Sequence, residues 1–234
     1  MSSTLLDNIN EVDPSWTEFF EENIKILENI STILENKDEY LPTNDNIFSI
    51  FSKIKLQDIK VVIIGKEPYC GFYNNEPITD GMAFSMNDNI DIYDTDSRIP
   101  SELKVVFSGL KKVNNTLKFE TFSLDKWVEQ GVFLLNTCFT VNKFKPNSHI
   151  QRNFWKPFIF KLIKKICETV PDCVFLIWGT DATFLSSYIS NSCTKYTSDY
   201  PSQINSSKFQ GHVHMIDCNK YLEKRNKKPI NWST

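Results

Sequence analysis

No stretch of this chain approaches the ~20 consecutive apolar residues that a membrane helix needs, which argues against a helical membrane protein. The opening residues, MSSTLLDNINEVD, lack both the apolar core of a signal peptide and the Arg-rich pattern of a transit peptide. There is no CxxC pair: Cys70, Cys138, Cys167, Cys173, Cys193 and Cys218 are scattered. Together these absences point to reduced thiols in an intracellular protein. Internal repeats, low-complexity tracts and linkers are also missing. Nor is there a basic excess, since 26 Lys and Arg face 29 Asp and Glu, for a formal net charge of −3. A protein that coats DNA through its overall field is usually basic. Any nucleic-acid contact must therefore come from a local site. Histidine is scarce, and the pair His212 and His214 has no third ligand at a convincing spacing, so no metal site is expected.

What is present suits one globular domain over residues 1–234. Residues 1–50 form a helical segment packed on it. Hydrophobic residues make up 41% and charged residues 24%, ordinary values for a soluble fold. Residues 14–35 carry Trp16, Phe19, Phe20, Ile24, Leu27 and Ile30 near helical spacing and predict a helix. Further helices are expected over 101–114, 155–170, from Asp181 through Ile189, and over 217–225 with Asp217 as N-cap. Residues 60–64, 132–136 and 172–179 read as buried strands, and 193–198 as a fourth. The strands are continuously apolar and alternate with helices, the signature of a parallel sheet covered on both faces. Their carboxyl ends run into GKEPYCG, NTCFTVN, WGT and SDYPSQ. Open α/β sheets place ligand sites at that edge.

GKEPYCG (65–71), GMAFSM (81–86), LDKWVEQGVFLLNTCFTV (124–141), VFLIWGT (174–180), YPSQIN (200–205) and KKPINW (227–232) occur in this order. As an ordered set they resemble family 1 uracil-DNA glycosylases over roughly residues 50–234. The resemblance implies a three-layer α/β/α sandwich around a four-stranded parallel sheet. It also implies that uracil is flipped from DNA into a pocket at the carboxyl edge, as base-processing enzymes require. No metal or organic cofactor is implied. The expected partner is uracil-containing DNA, single- or double-stranded, bound by a monomer. The expected location is the nucleus or another DNA-containing compartment, or the cytoplasm for a viral or bacterial chain.

Asn136, at the end of the second strand, offers one donor and one acceptor to the O4 and N3–H of uracil. Cytosine presents the opposite pattern there. Taken alone, Asn136 also suits a strand-ending turn. Phe84 matches the aromatic on which the flipped base stacks, and Tyr69 the ring that fills the space beside uracil C5. Thr180, Ser202 and, at the start of a helix, Ser101 match hydroxyl-bearing loops that pinch phosphates. Ile204 matches the apolar wedge that enters the vacated space.

The chain departs from the family pattern at several positions. Glu67 stands where the family has its water-orienting Asp, and Tyr200 where it has the His that hydrogen-bonds uracil O2. Cys70 replaces a His, and Lys66 a Gln. Lys66 can add a cation near the leaving uracil or project to solvent. The helix register puts Glu102 at a phosphate-facing serine position. Residues 87–97 are longer and more acidic than expected, with Asp88, Asp91, Asp94 and Asp96. They lack the central Gly and terminal Glu of a calcium loop, so a solvated acidic loop is expected. The expected activity is a monofunctional uracil-DNA glycosylase with a reduced rate. The alternative is a weakened homologue serving as a DNA-binding or replication-processivity subunit, which would have a replication or polymerase partner.

Overall fold

A computed structural model describes residues 5–35, 39–94 and 99–234. Four strands make the central sheet: β1 (Val61–Gly65), β2 (Val132–Asn136), β3 (Val174–Trp178) and β4 (Thr194–Ser198). All pairs are parallel, in the order β2-β1-β3-β4. Every residue of β1, β2 and β3 is buried, which requires cover on both faces. The edge strand β4 is half-buried. The expected α/β sandwich is what the chain forms.

The long helices are α1 (Thr17–Glu22), α2 (Ile24–Glu35), α3 (Glu102–Val113), α4 (Lys156–Thr169) and α5 (Gly211–Lys224). The amino-terminal segment is built into the core through aromatic side chains. Phe20 meets Phe48, Phe51 and Phe158, while Trp16 contacts Phe133 of β2 and donates from its indole N–H to the Ile54 carbonyl at 2.8 Å. The single helix expected over 14–35 is instead a 3-10 turn, Pro14–Trp16, followed by α1 and α2. It breaks at Asn23, whose side-chain amide donates to the Phe19 carbonyl at 2.7 Å. Such side-chain bonds to the backbone compete with helix continuation.

Two other expectations need correction. The helix expected from Asp181 is only a short α-turn, Thr180–Thr183, followed by the 3-10 turn Phe184–Ser187. Asp217 is not an N-cap. It lies inside α5 and pairs with Lys220 at 2.8 Å. The helix starts at Gly211 because Gly211 sits tight on Phe209 and Trp178, where a Cβ would meet Phe209 ring atoms at 2.2 and 2.4 Å. His212 lies against Gly109 of α3, and His214 stacks on Tyr196 at 5.4 Å.

The KKPINW segment closes the fold. Asn219 of α5 donates to the Ile230 carbonyl at 2.8 Å and accepts from the Ile230 N–H at 2.9 Å. Trp232 is buried against Trp127, and its indole N–H donates to the Met215 carbonyl at 3.2 Å. Replacing Asn219 by Ala leaves two backbone groups of a nearly buried residue without their partners. We expect Asn219→Ala to cost about 1–3 kcal/mol in urea unfolding, with an unchanged m-value. An unaltered midpoint would show that the tail adds nothing to stability.

Candidate active site

The site begins with a register. Gly65, the last residue of β1, lies opposite Asn136, the last residue of β2. A Cβ on Gly65 would meet Ala83 Cβ and Phe84 Cε2 at 3.0 Å and Asn136 Oδ1 at 3.2 Å. Only a residue without a side chain lets the ring and the amide come this close to the strand end. On the other side of β1, β3 runs into Gly179, whose φ of +91° is left-handed backbone. Tyr200, just past β4, packs over it, with Cβ and Cδ2 both 3.1 Å from the position a Gly179 Cβ would take. The four strand ends thus deliver Lys66 and Glu67, Asn136, Thr180, and Tyr200 to one edge. A cleft of about 370 Å³ opens there, lined by Glu67, Tyr69, Glu102, Thr180, Asp181 and Tyr200 among others.

Asn136 is 1% exposed, and neither its Oδ1 nor its Nδ2 has a hydrogen-bond partner. Leaving a buried polar group unpaired costs about 1–3 kcal/mol. Such groups need an explanation, and a missing ligand is one. Glu67 is in a similar state. Its Oε1 accepts the Asn147 backbone N–H at 2.7 Å, while its buried Oε2 has no partner. Burial pushes the Glu67 carboxyl above its usual range, against the pull of the Asn147 N–H and the Lys66 charge.

An aromatic wall stands beside these two groups. Phe84 has a left-handed φ of 66°, uncommon for a bulky residue. It contacts Trp178 at 5.1 Å and Tyr200 at 5.9 Å between ring centres. The Tyr69 hydroxyl donates to the Phe84 carbonyl at 3.2 Å, and the Ala83 N–H donates to the Leu134 carbonyl at 3.3 Å. Asp80 holds the same loop by accepting from the Ser85 hydroxyl and, at 2.9 Å, from the Met82 N–H. Burial pushes the Asp80 carboxyl up to about 6. The sequence reading missed Asp80. Its one local signal is the Asp-Gly step that opens the GMAFSM segment.

Tyr200 is engaged in a way the sequence did not suggest. Its hydroxyl points at Glu102 Oε1, 3.4 Å away. Burial and the nearby Glu102 hold the phenol well above its usual range, so it is a neutral donor. Glu102 is also shifted upward by burial. Lys66 is neither free in solvent nor turned into the cleft alone, because its ammonium pairs with Asp181 at 3.0 Å.

The remaining predicted residues lie around the rim. Thr180 is exposed and opens its short helix. Ser101 precedes α3 without making a side-chain cap bond. Ser202 Oγ accepts the Asn205 N–H at 3.3 Å. Ile204 is 93% exposed, an apolar side chain held in water. In the acidic stretch, Asp88 and Asp91 are exposed, and Asp94 accepts from the Tyr73 hydroxyl. Asp96 lies outside the described residues. A larger groove of about 610 Å³ lies at the opposite end of the sheet, beside Lys60, Gly131 and Lys228. Among the described residues, it contains none of the buried unpartnered polar atoms that mark the carboxyl edge.

A model of the Uracil DNA glycosylase superfamily matches residues 51–226. Uracil-DNA glycosylase from Francisella tularensis subsp. tularensis is 36% identical over 194 residues, which cover 82% of this chain and 83% of that protein. The subsp. novicida protein is 33% identical over 212 residues, covering 89% and 91%. Among solved structures, mimivirus uracil-DNA glycosylase superposes with a TM-score of 0.83 at 25% identity, covering 94% of this chain and 87% of that one. The UNG of Nitratifractor salsuginis shares the fold, with a TM-score of 0.68 at 15% identity and coverage of 91% and 92%. With the family model spanning most of the chain and curated relatives above 30% identity along most of their own length, the chain belongs to the uracil-DNA glycosylase superfamily.

Proposed function

We propose that this protein is a monofunctional DNA glycosylase that flips uracil out of DNA and hydrolyses its N-glycosidic bond. The observation that carries the reading is the buried Asn136 amide with both polar atoms unpaired. Uracil supplies the missing partners, its N3–H donating to Oδ1 and its O4 accepting from Nδ2. Phe84 provides a face for the base, and Tyr69 closes the space beside C5.

In this mechanism the C1′–N1 bond breaks with its electron pair going to the base. The sugar becomes an oxocarbenium-like cation, and uracil leaves as an anion. Glu67 orients a water through its free Oε2 and takes a proton as the water oxygen bonds to C1′. The charge of Glu67 also steadies the cation. Tyr200 would donate to uracil O2, for which it must let go of Glu102. That competition, together with the longer reach of Glu67, supports a working but slow enzyme. Losing optimal geometry at one oxyanion donor costs roughly 10²–10³ in rate. One observation favours the alternative role as a DNA-binding subunit. The Phe84 and Tyr200 rings touch at 5.9 Å, so no base fits between them and Tyr200 must yield for the base to stack. Release of uracil from a single-stranded oligonucleotide in a single turnover decides between the two.

Three outcomes follow from this site. Glu67 works ionised, and burial raises its pKa above 4.5. The rate should therefore rise with pH through a limb lying above 4.5, and Glu67→Gln should abolish both the limb and most of the activity. A flat profile in wild type would remove Glu67 from the chemistry. Asn136→Asp exchanges the amide donor for an acceptor. It should lower uracil release on the order of 10²-fold and begin to admit cytosine, as read from competing oligonucleotides. Equal uracil release by the two proteins would make Asn136 structural. Glu102→Gln removes a negative charge from the rim and weakens the hold on Tyr200. Its DNA affinity should increase at low salt, with the gain fading at high salt. Affinity equal to wild type at every salt concentration would show that Glu102 does not face the phosphates.

A further inference from the structure

Phe144 is 70% exposed and has a left-handed φ of 57°. A bulky residue held in that conformation persists only where its surroundings fix it. Here the Phe144 N–H donates to the Cys70 carbonyl at 2.8 Å, while the flanking Lys145 N–H donates to the Asn142 carbonyl at 3.1 Å. The ring is thereby set against Phe72, with centres 5.3 Å apart and planes inclined by 36°. The Lys143 ammonium lies 5.4 Å from the centre of the Phe72 ring and pairs with Glu39 at 2.6 Å. Lys145, on the other side of Phe144, is exposed.

This aromatic step is continuous with the candidate active site. Cys70, Pro146 and Asn147 line the cleft, and the Asn147 N–H holds Glu67. A chain leaving the cleft on this side meets Phe144 next. The step pairs an exposed ring face with cations on both sides, which complements a nucleobase joined to phosphates. Stacking on aromatic side chains beside a basic track is how unpaired strands are bound without sequence preference. A base inside a duplex has both faces covered and cannot use such a step.

We propose that Phe144, backed by Phe72, is a stacking subsite for an unpaired base of single-stranded DNA next to the extruded nucleotide, with Lys143 and Lys145 at the level of its phosphates. This subsite rests on the DNA-glycosylase reading, but binding can be measured apart from catalysis.

The first arm of the test uses a short uracil-free single-stranded oligonucleotide and fluorescence anisotropy. Phe144→Ala should weaken its binding roughly tenfold, and Phe144→Trp should keep the wild-type affinity. Binding of the corresponding blunt duplex should respond far less. The second arm uses uracil-bearing single strands in which each neighbouring nucleotide is replaced in turn by an abasic residue. At one position, losing the base should raise the wild-type KM by the same factor that Phe144→Ala does. In Phe144→Ala the same abasic change should add nothing, and the losses should fall on KM and not on kcat. Unchanged single-strand affinity in Phe144→Ala overturns the proposal. So do equal losses on single strand and duplex, or protein and DNA losses that multiply at every position. An apolar protein partner as the true occupant would give the first of these results. If wild type releases no uracil from any DNA, the glycosylase reading falls, and the uracil-free arm still decides the subsite. Phe144 is exposed, so Phe144→Ala should melt with the wild type.

Discussion

Gly65 and Asn136 face each other across the β1–β2 pair, and the missing Cβ at Gly65 is what lets an aromatic ring and an amide share the strand end. The parallel register carries this arrangement outward. Val61 aligns with both Val132 and Val174, so β1, β2 and β3 end nearly level. β4 joins with Ser198 opposite Trp178. A slip of one residue in any of these pairs would turn the terminal side chains to the other face. Full burial of three strands makes such a slip costly. The packing that stabilises the sheet therefore also aims Asn136, Glu67 and Tyr200 at one volume.

Charge on this edge is arranged against the ligand it is proposed to take. Glu67, Glu102 and Asp181 all line the cleft, and DNA brings further negative charge. The opposing effects are local. Lys66 shares its charge with Asp181, the Tyr200 hydroxyl donates toward Glu102, and burial shifts both Glu67 and Glu102 toward the protonated form. With a net charge of −3 there is no global field to help. Affinity must then rest on short-range contacts, namely the orphaned Asn136 amide, the aromatic faces and the exposed Ile204. That balance suits a protein that holds an extruded base more tightly than it holds undamaged duplex.

The sheet was legible in the sequence because VVIIG, VFLLN and VFLIW are continuous apolar runs bounded by turn residues. The positions of Asn136, Glu67 and Tyr200 at their ends followed from that. What was not legible depends on contacts between segments far apart in the chain. Tyr200 and Glu102 are 98 residues apart. Lys66 meets Asp181 across the cleft, and neither residue's neighbours signal the other. Asp80 looks like an ordinary turn residue until Ser85 and Met82 are seen donating to it. The early start of α5 was hidden for a similar reason. His212, Val213 and His214 carry no strong helix signal, and the helix there is set by Gly211 seating on Phe209 and Trp178.

Two aromatic residues on this edge, Phe84 and Phe144, have left-handed backbone, a conformation that L side chains of that bulk rarely adopt. Each is fixed by hydrogen bonds from or to the GKEPYCG turn. Tyr69 donates to the Phe84 carbonyl, and the Cys70 carbonyl accepts from Phe144. The turn that follows β1 thus fixes an aromatic inside the cleft and another outside it, using adjacent residues. Glu67 lies in the same turn, braced by Asn147 from the loop that carries Phe144. A shift of that loop would change both the carboxylate and the outer ring. Binding at the rim and chemistry in the cleft are therefore mechanically joined through a few backbone hydrogen bonds, and the strain at the two phenylalanines is held by that shared bracing.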